Sequence, residues 1–101
     1  MVIATEFDGV IARYVDGELV AEEGMLATLK QLQSQKHVIC LWTCREGKEL
    51  NECIQFCEEH GLHFDFVQNS PLGGTKKIKA HVYVDSNSVA TLQSLIALAY
   101  Y

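Results

Sequence analysis

The stretch His37-Val38-Ile39-Cys40-Leu41-Trp42-Thr43-Cys44-Arg45-Glu46-Gly47 decides the fold of this chain. Its first six residues are almost continuously apolar, too few for a helix core and without the alternation of a half-wet strand. Such a run reads as a strand buried on both faces, the habit of parallel sheets. Thr43 to Gly47 breaks it. Beyond the break, Leu50, Cys53, Ile54 and Cys57 recur at three and four residues, one face of a helix that His60-Gly61 ends as a glycine C-cap.

Working outward, the same grammar repeats. Val2-Ile3-Ala4-Thr5 is a short apolar strand that ends in Glu6-Phe7-Asp8. Ile11 to Val20 carries apolar residues on both sides of Asp16-Gly17, a dipeptide suited to a tight hairpin turn. From Glu22 the pattern turns helical, with Met25, Leu29 and Leu32 on one stripe and Lys36 at the end. Phe64 to Val67 is a third strand, Asn69 to Gly74 a loop of breakers, Ile78 to Val84 a fourth strand, and Val89 to Leu98 a last helix. Strand, helix, strand, helix, strand, loop, strand, helix specifies an α/β fold: a small, open, parallel Rossmann-like sheet of about four strands, flanked by helices. The dozen residues between the first strand and first helix make a short flap hairpin and leave no room for a cap domain.

The 101 residues are expected to form a single domain over 1–101, with one ordinary core. Net charge is −5, from 13 acidic and 8 basic residues of which two are arginine. That balance lacks the footprint needed to grip a phosphate backbone, so nucleic acid is excluded as a partner. No apolar run reaches membrane-spanning length and no leader-like segment opens the chain, which points away from membranes and to a cytoplasmic location. Cys40, Cys44, Cys53 and Cys57 match neither a zinc ribbon nor a CxxC redox pair, and read as buried, reduced thiols used as small hydrophobes in preference to a metal site.

In open parallel sheets ligands bind beyond the carboxyl ends of the strands. The residues there are Glu6 and Asp8 after the first strand, Thr43 after the second and Asp85 after the fourth, with Lys76 and Lys77 just before the fourth. Crowded carboxylates repel unless a cation sits among them, and hard oxygen ligands suit Mg²⁺. A metal, a lysine and a hydroxyl together make a cradle for a phosphoryl group. Singly, each acid has the plainer reading of a solvated loop residue, and only their joint placement raises the functional one.

Other residues have competing readings. Arg45 either grips an anionic substrate group or pairs with Glu46 or Glu49 on the surface. Trp42, one residue before Thr43, is expected on the opposite face of the sheet, packed against a helix, with lining a substrate path as the less favoured alternative. His37 and His81 begin strands, and His60 and His63 flank a turn, so all four are placed at the edge remote from the carboxylates. Gly73-Gly74-Thr75-Lys76 lacks the spacing of a nucleotide phosphate loop and reads as a turn. Tyr100-Tyr101 packs on the sheet's edge or forms a contact between copies.

The four strand ends resemble the motifs of the haloacid-dehalogenase-like superfamily, over almost the whole chain. Its Asp-x-Asp-Gly-Thr/Val motif is here Glu6-Phe7-Asp8-Gly9-Val10. Its strand ending in Thr or Ser is Leu41-Trp42-Thr43, followed by Cys44-Arg45-Glu46-Gly47, similar to very small capless members with Trp-Thr-x-Arg-x-Gly. Lys77, with Lys76 as the alternative, matches the third motif, and Val82-Tyr83-Val84-Asp85-Ser86 the fourth.

The resemblance implies a Mg²⁺-dependent phosphomonoesterase. Its nucleophile position falls on Glu6, its acid/base on Asp8, its phosphoryl-binding groups on Thr43 and Lys77, its substrate contacts on Gly9 and Arg45, and its metal ligands on Glu6, the carbonyl of Asp8, and Asp85. Two departures stand out: Glu6 replaces the nucleophilic aspartate, and Ser86 replaces a second acid. The extra methylene of Glu6 displaces the attacking oxygen by roughly an ångström, enough to cost about a hundredfold in rate. The resemblance therefore also accommodates a non-catalytic phosphate- or metal-binding or protein-interaction module on the same fold. An uncapped site implies a bulky phosphorylated substrate or cover from a homo-oligomeric neighbour.

Overall fold

A computed structural model describes residues 1–74, 77–86 and 91–100. Lys76, Tyr101 and the side chain of Tyr100 lie outside what it describes. The elements run β1 (Val2–Thr5), β2 (Ala12–Val15), β3 (Glu18–Ala21), α1 (Glu23–Ser34), β4 (Val38–Leu41), α2 (Gly47–Glu59), β5 (Phe66–Val67), β6 (Val82–Val84) and α3 (Thr91–Tyr100). The architecture is the α/β one expected: a four-stranded parallel sheet in the order β5-β4-β1-β6, flanked by helices, a separate β2-β3 hairpin, and no cap domain.

The central pair carries the burial that the sequence demanded. β1 pairs with β4 in the register Ile3 to Ile39 and Thr5 to Leu41, and all four β1 residues are buried. Thr5 satisfies its hydroxyl by donating to the Glu6 carbonyl at 2.9 Å, so a polar side chain sits in the sheet without a desolvation cost. In the flap, Asp16 and Gly17 both take positive φ, 51° and 81°, the geometry of a type I′ turn whose twist matches the strands. At the end of α2, Gly61 is left-handed (φ 83°). The Leu62 amide there donates back to the Cys57 carbonyl at 2.9 Å, closing the helix.

The two sheet faces are covered differently. One face, with Ile3, Ile39, Leu41 and Val84, packs under Leu26, Leu29 and Leu32 of α1, Cys53 and Cys57 of α2, and Leu95 and Ala99 of α3. The other, with Val2, Ala4 and Cys40, packs under Ile78 and Ala80, flanked by Val38, Trp42, Phe66 and Tyr83. Among the described residues no helix contributes to this second cluster.

Two strands are shorter than the sequence suggests, each because a side chain takes over a ladder position. The fourth was expected from Ile78 but begins at Val82. The Tyr83 hydroxyl donates to the Ile78 carbonyl at 2.8 Å and accepts from the Ala80 amide at 3.1 Å, holding 78–80 off the sheet edge. The third reduces to Phe66–Val67. There the Asp65 carboxylate accepts the Ile39 amide at 2.8 Å. At the amino ends of the strands the Val2 amide donates to His81 Nδ1 at 2.8 Å, and the terminal amine lies 2.9 Å from His37 Nδ1. Both histidines thus occupy the remote edge, as expected. Burial and the neighbouring amine lower the pKa of His37.

Candidate functional site

The strand order reverses at β1, so the carboxyl ends of β1 and its neighbours flank the switch point where open sheets bind ligands. A cleft of about 580 Å³ opens there, lined by Glu6, Phe7, Asp8, Trp42, Thr43, Cys44, Gln68 and Ile78. Three expected site residues, Glu6, Asp8 and Thr43, therefore share one concavity.

The backbone holds them there. The Glu6 amide donates to the Val84 carbonyl at 3.0 Å, fixing Glu6 beside the end of β6, where Asp85 follows. The Phe7 carbonyl accepts the amides of Val10, Ile11 and Ala12, at 3.2, 2.9 and 3.3 Å, which coils the chain back after Asp8. Gly9 makes that reversal with φ +77°, and a Cβ on it would come 3.4 Å from Ser86. It is a turn residue at the meeting of the β1 and β6 exits.

Asp8 and Arg45 form the strongest polar contact of the site. Arg45 Nε and Nη2 donate to the two Asp8 carboxylate oxygens at 2.9 and 2.8 Å, a bidentate fork. Nη2 also lies 3.2 Å from the hydroxyl of Tyr14 on the flap, and Nη1 donates to the Glu49 carbonyl at 3.2 Å. The guanidinium stacks 5.0 Å from the Phe7 ring centroid and 5.9 Å from that of Tyr14. Arg45 thus reaches neither the Glu46 nor the Glu49 side chain; it ties Asp8, the flap and the first turn of α2 together. The hydrogen bonds to Arg45 hold the Asp8 carboxyl below the ordinary aspartate range, against a smaller opposing effect of burial. Those bonds also raise the Arg45 pKa.

Thr43 is clamped by a residue the sequence reading passed over. The Thr43 amide donates to Gln68 Oε1 at 2.9 Å, and Gln68 Nε2 donates to the Thr43 carbonyl at 2.5 Å. The Gln68 amide so imitates one more strand residue beside β4. Gln68 itself sits at φ 59°, a conformation glutamine rarely adopts. Its only signal in the sequence is its place directly after a strand end. The Thr43 hydroxyl accepts the Arg45 amide at 3.2 Å, rounding the turn into α2.

Lys77 stands apart from Glu6 and Asp8. Its ammonium lies 5.1 Å from the Trp42 ring centroid and 4.3 Å from that of Tyr83. Trp42 and Tyr83 meet edge to face at 6.4 Å. Trp42 does occupy the face opposite Leu41, as alternation requires. It packs there against Tyr83 and Lys77 instead of a helix, and forms a wall of the cleft.

The three carboxylates share an edge but do not share one ligating group. Among the described residues no three His, Cys, Asp or Glu side chains gather to hold a metal, because the Asp8 carboxylate is drawn to Arg45. The donors that fit a hard divalent cation are the Glu6 carboxylate, the Asp8 carbonyl and the Asp85 carboxylate, all oxygen. Cys53 and Cys57 are buried and unbridged. The Cys53 contact and burial push the Cys57 thiol up, which makes it inert packing. Cys44 departs from the expected burial and is exposed, because it lies in the turn between β4 and α2.

An open parallel α/β protein with an uncapped cleft at the strand ends is the class these features define. No protein-family model matches the chain, and no curated protein matches it. A solved structure, that of the conserved protein coded by a locus of Bacteroides thetaiotaomicron, is similar to it with a TM-score of 0.80 and 32% identity, covering 98% of this chain and 86% of that one. The chain belongs to the family of that conserved protein. No helix among the described residues is long and apolar enough to cross a membrane.

Proposed function

We propose that the protein is a Mg²⁺-dependent phosphomonoesterase of the haloacid-dehalogenase-like type, cytoplasmic, acting on a phosphorylated small molecule or a bulkier phosphorylated partner. The observation that carries the reading is the convergence of Glu6, Asp8 and Thr43 on one cleft at the carboxyl ends of β1 and β4. In this mechanism a Glu6 carboxylate oxygen attacks phosphorus, the ester P–O bond breaks, and protonated Asp8 gives its proton to the leaving oxygen. Water then attacks phosphorus of the glutamyl-phosphate, Asp8 takes the water's proton, and phosphate departs with Glu6 restored. Thr43, held by Gln68, orients a phosphoryl oxygen. Lys77 supplies positive charge from the Trp42 side, and Gly9 lets the backbone turn close to the substrate. Glu6, the Asp8 carbonyl and Asp85 would hold Mg²⁺, which neutralises phosphoryl charge when bound.

Arg45 acts on Asp8. It stabilises the ionised form, the one that activates water, and proton donation requires the pair to loosen. The same pairing supports a second reading, a module that binds a phosphate or cation at this cleft without turnover.

Phosphate release from a phosphomonoester panel with Mg²⁺ separates the two. Wild type is expected to be slow, Glu6→Asp faster by up to about a hundredfold as the attacking oxygen moves into line, and Asp8→Asn in either background silent. Silence of both wild type and Glu6→Asp would remove the hydrolase reading and leave the binding module.

A further inference from the structure

The cleft is lined by unlike groups. Glu6, Asp8 and Thr43 bring side-chain oxygen and Trp42 brings a half-buried ring, with Phe7 and Ile78 buried behind the lining and Gln68 exposed beside it. Its volume of about 580 Å³ lies in the range of sites that enclose a whole small molecule, far more than a phosphoryl group requires.

Trp42 is fixed in that lining. Tyr83 meets it edge to face at 6.4 Å, Lys77 lies over its ring at 5.1 Å, and Ile78 is buried in the same cluster. A rigid indole at a cleft wall loses little entropy when a flat group stacks on it. The polar groups nearby are partly engaged: the Gln68 amide is bonded to Thr43 through one N–H and one oxygen lone pair, and the Tyr83 hydroxyl to Ile78 and Ala80. Beside the indole a polyol finds only the Cys44 thiol, a weak donor, and what Gln68 has left. An aromatic ring asks for no hydrogen-bond partner. The Lys77 ammonium adds a positive charge beside the indole, which suits a ring carried on an anion.

Resting on the phosphomonoester reading above, the geometry points to phosphate esters whose leaving group is a planar aromatic ring, stacked on Trp42, as the substrate class of this cleft. Trp42 is then the specificity-determining residue, and Ile78 backs the same surface.

Phenylphosphonate and methylphosphonate test this, because neither is hydrolysed and they differ in the ring alone. The chain has one tryptophan, Trp42, so its fluorescence reports binding directly, and calorimetry with Mg²⁺ present gives both affinities. Phenylphosphonate is expected to bind roughly tenfold more tightly, as stacking of one ring provides, and to change Trp42 emission. Trp42→Phe should keep most of that preference and Trp42→Ala should erase it, the ratio of the two affinities being the readout. Equal affinities in wild type, or a preference that survives Trp42→Ala, would overturn the aromatic class and leave the phosphate site standing. Binding of neither compound would overturn the phosphate site itself, and the stacking proposal with it.

Discussion

The two faces of the central sheet are built from the same strands and finished in different ways. On one face, side chains from all three helices close over Ile3, Ile39 and Leu41, each with no exposed surface. On the other, an irregular segment carrying Ile78 and Ala80 lies across Val2, Ala4 and Cys40, and Trp42, Phe66 and Tyr83 remain half-buried. The cleft straddles the boundary: Phe7 comes from the helix-covered cluster, Trp42 and Ile78 border the other. Each side also brings one cation resting on aromatic rings, Arg45 on Phe7 and Tyr14, Lys77 on Trp42 and Tyr83. The helix-covered face gives the molecule its stability. The thinly covered face gives the cleft its wall, because a helix packed there would have buried Trp42.

Truncating the helix-covered face is expected to cost most. Leu29→Ala, from a position with no exposure, is expected to lose about 2–5 kcal/mol in urea unfolding, since the helices and sheet packed around it relax only partly into the space. Ile78→Ala is expected to lose less, about 2 kcal/mol or below, because the covering segment is free to settle toward the sheet. Equal losses would break the comparison.

The smallest contribution to stability and the sharpest local effect belong to the Asp8–Arg45 ion pair. Half of the Asp8 side chain is exposed (52%), which limits the ion pair itself to under about 1 kcal/mol at neutral pH, whereas the Arg45 side chain is 9% exposed and adds lost packing on Phe7 and Tyr14 to the cost of Arg45→Ala. The same change should return the Asp8 carboxyl toward the ordinary value near 3.9, read by carbon-detected titration, whereas Lys77→Ala should leave it where it is. Because Arg45 lowers the Asp8 pKa, the pair's contribution is fully present above the ordinary aspartate pKa and disappears as pH falls through the depressed one. The stability gap between wild type and Arg45→Ala should therefore narrow on acidification below about pH 4. A gap that widens there would sink the ion-pair account.

Much of the fold was legible because apolar periodicity reports burial directly. The runs at Val2–Thr5 and Val38–Leu41, the stripe of Met25, Leu29 and Leu32, and the Asp16-Gly17 turn each carry a local signature. The candidate site was legible in part for a related reason: topology alone sends Glu6, Asp8 and Thr43 to one edge. What was hidden depends on side chains meeting across long sequence separations. Gln68 clamping Thr43, Tyr83 lifting 78–80 off the sheet, and Arg45 closing on Asp8 rather than Glu49 have no local pattern, since each partner is chemically ordinary where it stands.

The sequence by itself determined the parallel α/β class, the hairpin flap without a cap, and the edge at which acids and hydroxyl assemble, because these follow from period and order along the chain. Only the tertiary structure decided which face the segment carrying Ile78 and Ala80 covers, that Trp42 lines the cleft, and that the Asp8 carboxylate is drawn to Arg45 instead of facing Glu6 and Asp85 across a shared cation. Those outcomes turn on distances of a few ångströms between residues far apart in sequence, and distance is what an apolar pattern does not encode.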